Sequence, residues 1–179
     1  MYFNINFLTY NLMSKIMRSY FVFVCLIFIP IFSGCKSKPE SIKFTGITQM
    51  DKFGTIEGTP DTTDWGSKDI WTAREKALFA DSFSTNCKAV NFRAMFYPNP
   101  CRKKSTLYLL KDSTVRVAIR LVDKDLNVIM SNDSVYKSAM EFDLSSFKTD
   151  DTIRLYYKFI TKDKCEYRGH GDISVNPYK

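Results

Sequence analysis

The chain is predicted to be mainly β, a sandwich of about seven strands preceded by one short helix, and three features carry that expectation. From Cys87 onward apolar residues recur at every second position in the short runs VNFRAMFY, TLYLL, TVRVAIRLV, NVIMS, SAMEFDL, TIRLYYKFI and EYRGHGDISV. A period of two is the strand signature, and Val, Ile, Phe and Tyr suit a pleated, half-buried surface. Around and between them lie YPNPC, KDS, DKDL, NDS, SSFKTDD and KDKC, which supply the Pro, Asn, Asp and Ser of tight turns. Within TVRVAIRLV, Val115, Val117, Ile119 and Leu121 alternate with Arg116, Ala118, Arg120 and Val122, as a sheet with one buried and one wet face requires. Seven strands at this spacing predict an immunoglobulin- or fibronectin-III-like sandwich over residues 87–179.

Ahead of the sandwich the chain reads in three parts, a signal segment over 1–34, the lipidated cysteine and tether over 35–60 and a lead-in over 61–86. Lys15 and Arg18 precede the uncharged apolar run Tyr20 to Phe32, which ends on Ser33, Gly34 and Cys35. A basic region, an apolar stretch and small residues before a cut form a signal peptide. As a helix the run is roughly 20 Å long, short of a hydrocarbon core of about 30 Å. A core helix apolar on all sides would need protein around it. The Ser33-Gly34-Cys35 triplet resembles the end of a bacterial lipobox, with Phe32 where an aliphatic residue is usual. That resemblance implies cleavage before Cys35 and diacylation of its thiol; an ordinary cleaved signal and an uncleaved anchor are the alternatives. Two or more acyl chains hold a protein on a bilayer nearly permanently. Met17 followed by Arg18 is an alternative start.

Residues 36–60, with three glycines, two prolines and no sustained period, are expected to be a tether from the lipidated cysteine. The pattern Ile42, Phe44, Ile47 leaves room for part of it to dock as an edge strand. In the lead-in, residues 61–86, SKDIWTAREKALF places Ile70, Ala73 and Ala77 on one side, with Thr72 and Glu75 at capping-box spacing. One short helix over about 69–79 follows. Trp65 and Trp71 are expected to pack this helix onto the domain, since no third aromatic is spaced to complete a sugar platform.

Composition narrows the function classes. The 179 residues carry 26 Lys and Arg against 19 Asp and Glu. Lys15 and Arg18 leave with residues 1–34, so 24 basic and 19 acidic side chains remain and the balance falls from +7 to +5. The charges are dispersed, Arg102, Lys103 and Lys104 being the one tight cluster. A nucleic-acid stripe is absent, and the cluster reads as solvated turn residues or as a contact for acidic lipid or polysaccharide. Of five cysteines, Cys87, Cys101 and Cys165 remain once Cys25 and Cys35 are set aside. No CxxC pair exists, and export to an oxidising compartment implies one disulfide and one spare thiol.

A family likeness adds to this. FYPNPC opening the β-module, VRVAIRLVDKDLNVI in its middle and MEFDLSSF before the penultimate strand resemble the small Ig-like C-terminal sorting domain of Bacteroidetes type IX secretion cargo. They are similar, too, to modules of small envelope lipoproteins of those bacteria. The likeness covers about residues 92–161. Thr152 to Tyr156 replaces the Gly-x-Tyr usual after the DLSS element, and the chain ends in ISVNPYK instead of a basic terminal strand. The resemblance implies the sandwich fold; a lipobox makes a second sorting signal redundant.

The disulfide follows from strand order. A continuous strand between Cys87 and Cys101 would hold them some 30 Å apart, whereas bridged Cα atoms lie within about 7 Å. In an Ig-like order Cys87 begins the first strand, Cys101 lies at the opposite end, and Cys165, in the last turn, returns to the end holding Cys87. The predicted pair is Cys87–Cys165, with Cys101 unpaired in the YPNPC turn.

Catalytic and metal chemistry have few footholds. His170, the single histidine, stands in CEYRGHGDI with Asp172 two residues on. In a strand both face one side and could bind a metal or orient an imidazole; the plainer reading is a bulge flanked by Gly169 and Gly171. No G-x-S-x-G elbow supplies a nucleophile. DKDLN, residues 123–127, starts like a calcium loop but has Val128 at position six and Ser134 at position twelve, where Gly and Glu are demanded. It is read as a polar hairpin turn, and no P-loop or dinucleotide fingerprint occurs. No cofactor, catalytic residue or metal is therefore expected.

The expected function is that of an outer-membrane lipoprotein of the cell envelope, anchored through Cys35. Lys36, Ser37 and Lys38 in place of an acidic run favour the periplasmic side. Its sandwich would serve as a non-catalytic binding or structural module with an envelope protein or polysaccharide partner. The alternatives are a hydrolytic or metal-dependent enzyme using His170 and a secreted sorting cargo.

Overall fold

The computed structural model describes residues 41–44, 46–148 and 150–175, so Cys35 and the expected signal segment lie outside the described residues. In chain order the elements are β1 (Gln49–Met50), β2 (Ile56–Glu57), α1 (Ala73–Lys76), β3 (Arg93–Tyr97), β4 (Lys104–Leu110), β5 (Arg116–Val122), β6 (Val128–Val135), β7 (Ala139–Asp143), β8 (Thr152–Ile160) and β9 (Glu166–Ser174). The fold is mainly β, and each of the seven predicted runs from Cys87 onward contains a strand, β3 to β9. They form a three-stranded sheet, β3-β4-β7, and a four-stranded sheet, β6-β5-β8-β9, antiparallel throughout. Three strands facing four is the sandwich arrangement the spacing predicted.

Alternation builds the core. Ala94, Phe96, Leu107, Leu109 and Phe142 of the smaller sheet meet Val117, Ile119, Leu121, Ile153, Leu155, Tyr157, Phe159 and Ile173 of the larger one. Burying each of the Val, Leu, Ile and Phe side chains among them contributes about 1.5–3 kcal/mol. The disulfide Cys87–Cys165, Cα atoms 6.0 Å apart, closes a separation of 78 residues at one end. Cys87 does not begin a strand, however, because β3 starts six residues later at Arg93. Cys101 is a free, buried thiol, which burial pushes up to about 11.

Four expectations about the elements are corrected. The helix is a single turn, not residues 69–79. Thr72 and Glu75 do close the capping box. Upstream, Asp69 N–H bonds Arg168 O at the β9 edge, while the Leu78 and Phe79 N–H groups reach back only three residues, to Glu75 O and Lys76 O. A helix so short gains too few bonds to offset its nucleation, so the docked chain on either side decides its length. Ile70 does not pack with Ala73 and Ala77: it is 96 % exposed, and Trp71 is buried in its stead.

The outer face of the larger sheet is not wet along β5, β8 and β9. Ala118, Val122, Tyr156 and Ile160 pack against Trp71 and Phe79 in a second apolar cluster, because the lead-in lies across them like a strap. Nor do Gly169 and Gly171 flank a bulge: β8 and β9 pair without a register shift from Thr152↔Ser174 to Ile160↔Glu166. A Cβ on Gly171 would stand 2.3 Å from the Trp65 ring, and one on Gly169 would stand 2.1 Å from Gly66 O. These glycines admit the lead-in to close contact with β9. Trp65, at φ 61°, is stacked with Phe96 at 5.9 Å and Tyr157 at 6.3 Å.

Part of the expected tether is joined to the sandwich. The β1–β2 hairpin exchanges Met50 N–H to Asn99 O and Asn99 N–H to Met50 O, at 2.7 and 2.9 Å. The fully buried Asn99 side chain also donates to Thr48 O and Asp172 O and accepts from Ser174 N–H. One amide thus ties the hairpin, the YPNPC turn and the end of β9 together, as a buried amide must if it is to be satisfied. The tether expected over residues 36–60 is therefore not free along its whole length, since the hairpin is docked.

Candidate functional site

The chemistry-bearing side chains gather on the strapped face of the four-stranded sheet. Register decides which of them meet: β8 sets Arg154 opposite Asp172, Tyr156 opposite His170, Lys158 opposite Arg168 and Ile160 opposite Glu166 on β9. Alternate residues share a face, so Arg154, Tyr156 and Lys158 line up beside Glu166, Arg168, His170 and Asp172. The lead-in closes over this grid with Asp69, Trp71, Glu75, Phe79 and Phe83.

Almost every charge in the grid is committed. Arg154 makes a two-pronged pair with Asp172, Nε to Oδ1 at 2.6 Å and Nη2 to Oδ2 at 2.8 Å, with side chains 11 % and 3 % exposed. Burial opposes the Arg154 charge, but the Asp172 carboxylate more than offsets it and its pKa is raised. The guanidinium also lies 5.5 Å from the Phe44 ring centroid and 5.9 Å from that of Tyr156. Lys158 and Glu166, both fully buried, pair at 3.2 Å; Glu166 also holds Arg168 and accepts Phe83 N–H at 3.0 Å. On β5, Arg120 bonds Asp133 at 2.6 Å and Leu78 O at 2.9 Å.

Tyr156 and Glu75 form the next pair. The phenol donates to Glu75 Oε1 at 2.6 Å while Thr72 N–H donates to Oε2 at 2.6 Å. Burial and the adjacent Glu75 raise the Tyr156 pKa. Burial works against the Glu75 charge too, but the Tyr156 hydroxyl and the Thr72 bonds outweigh it and leave its pKa lowered. At the rim, Asp64 accepts N–H groups from Thr48 and Asp172 at 2.9 and 3.1 Å. Burial, aided by the Asp172 charge, pushes its carboxyl up to about 6 against those two bonds.

The two metal candidates are thereby placed. His170 and Asp172 do share the outer face, but His170 Nδ1 is bonded to Asp69 and Asp172 is taken by Arg154. The structure does not bring them together on one centre, and no group of three or more metal-type side chains occurs among the described residues. Asp123 of DKDLN turns inward on its own loop, accepting the Asp125 and Asn127 N–H groups and the Asn127 amide, so the segment is a hairpin turn. Trp65 and Trp71 are packed, the former in the main core and the latter in the second cluster. Lys104 of the basic cluster pairs with Glu141 at 2.7 Å.

One open cleft of about 430 Å³ borders the grid, lined by Ser41, Ile42 and Lys43, by Thr72, Arg74 and Glu75 around α1, and by Leu126, Arg154 and Tyr156. Its lining carries three cations and one carboxylate, with both oxygens of that carboxylate already accepting hydrogen bonds. Sequence reasoning missed Asp69, Glu75, Arg154 and Tyr156. For Arg154 and Tyr156 the signal is the β8–β9 hairpin register, since folding the two runs about TKDKC sets Arg154 opposite Asp172 and Tyr156 opposite His170; Asp69 and Glu75 come from the lead-in, and strand pairing carries no sign of them. A larger opening of about 630 Å³, between the β1–β2 hairpin and residues 98–104, carries none of this network. Among the described residues no helix is long and apolar enough to cross a membrane. Compared with known proteins, the chain matches no family model, and no curated protein or solved structure is significantly similar to it.

Proposed function

We propose that this chain is a lipoprotein of the outer membrane, acylated at Cys35 and facing the periplasm, whose sandwich is a non-catalytic binding or structural module. What supports the anchor is the order of residues 15–38: basic, apolar, small, cysteine. The observation that carries the binding reading is the braced cleft. Its Arg154, Tyr156 and Glu75 are each fixed by a partner, and preorganised polar groups bind without a further ordering cost. Intact-mass analysis of the protein from cells tests the anchor. Expected is a chain beginning at Cys35 with acyl groups attached; residues 17–34 retained without acylation overturns it.

A hydrolytic enzyme is the second reading, favoured by one observation: Asp69 on Nδ1 of His170 is how an imidazole is oriented for proton transfer. His170→Ala separates the two, since loss of a measurable hydrolytic activity would favour the enzyme. Sorting cargo, the third, requires the C-terminal module alone to carry a reporter outside the cell.

A further inference from the structure

We infer that the β1–β2 hairpin is a bilayer-contacting tip that seats one end of the sandwich on the membrane surface, Phe53 and Ile56 entering the lipid interface. The inference rests on acylation of Cys35. Phe53 is 77 % and Ile56 51 % exposed, on a turn whose Phe53 and Thr55 N–H groups are already satisfied by the Asp51 carboxylate. Such a turn can meet lipid without presenting those two N–H groups unpaired to an apolar medium, which is the usual obstacle to burying a loop there.

The occupant is identified by where the chain enters. The first described residues dock at the β5–β6 turn, Ser41 on Asp125 and Ile42 N–H on Lys124 O, both at 2.6 Å. That turn follows Val122, which pairs with Arg154 near the start of β8. The start of β8 pairs with the end of β9, and the end of β9 accepts the Cys101 N–H at 2.9 Å beside the YPNPC turn. Met50, at the base of the hairpin, is bonded to that same YPNPC turn. Chain entry and hairpin therefore share one end of the sandwich, opposite the Cys87–Cys165 end. Whatever path residues 35–40 take, six residues reach at most about 21 Å. An acyl group on Cys35 thus brings this end, and not the disulfide end, to the headgroups.

Charge does not carry the contact. Lys52, Arg102 and Lys103 are offset by Asp51, Glu57 and Asp143, so zwitterionic lipid suffices and added salt leaves the contact in place. The test places a tryptophan at the tip of the acylated protein, reconstituted in zwitterionic vesicles with or without brominated acyl chains. Phe53→Trp, and Ile56→Trp as a second probe, should emit to the blue of water-exposed indole and be quenched by bromine. Trp65 and Trp71 are buried and give the background read from the parent protein. Ile70→Trp, at a 96 % exposed position on the lead-in, should stay water-like and unquenched. Water-like emission at both 53 and 56 with Cys35 acylated overturns the tip and leaves the anchor standing. Equal quenching at position 70 overturns the end-on seating, and an unacylated Cys35 overturns anchor and tip together.

Discussion

Separating Arg154 from Asp172 probes whether the strapped face is as dry as its geometry implies. The pair has two hydrogen bonds of 2.6 and 2.8 Å between side chains 11 % and 3 % exposed. Removing one member of a buried ion pair costs about 3–5 kcal/mol, because the other charge stays behind without a partner. Arg154→Met strands Asp172 and also forfeits two ring contacts of about 0.5–1 kcal/mol each. Asp172→Asn strands Arg154 but keeps one acceptor, so its cost sits near the lower end of that range. The double variant leaves no stranded charge, and its loss should fall short of the sum of the two by about 2–3 kcal/mol. Urea denaturation at pH 7 of the four oxidised proteins measures this coupling, with equal m-values as the check that the unfolded states match. Burial also predicts that the coupling survives 1 M salt, where the screening length is about 3 Å and exposed pairs fade. A coupling below about 0.5 kcal/mol, or one lost in salt, would mean that the pair is solvated and the lead-in does not cover it.

Two further outcomes follow from close contacts and from titration. Gly171→Ala puts a Cβ 2.3 Å from a Trp65 ring that is pinned between Phe96 and Tyr157, so a loss of about 1–3 kcal/mol is expected in the same denaturation assay. Gly66→Ala, whose Cβ meets nothing nearer than Asp69 at 3.9 Å, should stay within about 0.5 kcal/mol of the parent. Asp64, raised from 3.8 to about 6, holds its proton in the folded chain where the unfolded chain has released it. Its contribution is therefore full below pH 4 and falls away as pH rises to 6. After discount for partial solvent screening, that loss is about 1–3 kcal/mol. Asp64→Asn should remove this falling limb from stability plotted against pH, though it costs about 1–3 kcal/mol throughout by depriving one N–H of its acceptor; an unchanged pH 4–6 slope refutes the assignment.

Strand existence was legible because each run alternates with period two and each turn announces itself by composition. Facing was legible only for the inner side. TVRVAIRLV reads as half wet because Arg116 and Arg120 are charged and charged residues are rarely buried. Only chain more than thirty residues upstream reveals the cover: Trp71, Phe79 and Phe83 lie eight and four residues apart, spacings that suit a helix and a strand alike, so periodicity alone does not show that this segment follows the surface beneath it. The helix was overextended for the same reason. Its capping box is real and Trp71 packs as expected, but Ile70 turns to solvent, because docking on β9 sets the chain's direction before α1 begins.

The candidate site shows where sequence reading stops and why. His170 and Asp172 stand two apart in one strand, and the structure keeps them on one face, yet each is claimed by a residue from elsewhere: Asp69 from 101 positions upstream and Arg154 from the neighbouring strand. Same-face spacing is local, whereas commitment of a charge is tertiary. The same asymmetry governs the boundary drawn at Cys87, which marks a change of period and not the edge of the core. Trp65 is stacked with Phe96 and Tyr157 in the main cluster, Trp71 covers Tyr156, and Phe83 N–H satisfies the buried Glu166. Without those lead-in groups, Lys158, Glu166, Arg154 and Asp172 would stand on an ordinary solvated sheet, their pairs exposed and worth little. The lead-in is thus what makes the charged grid a rigid, low-dielectric feature, and any ligand reaching the cleft meets polar groups whose positions are already set.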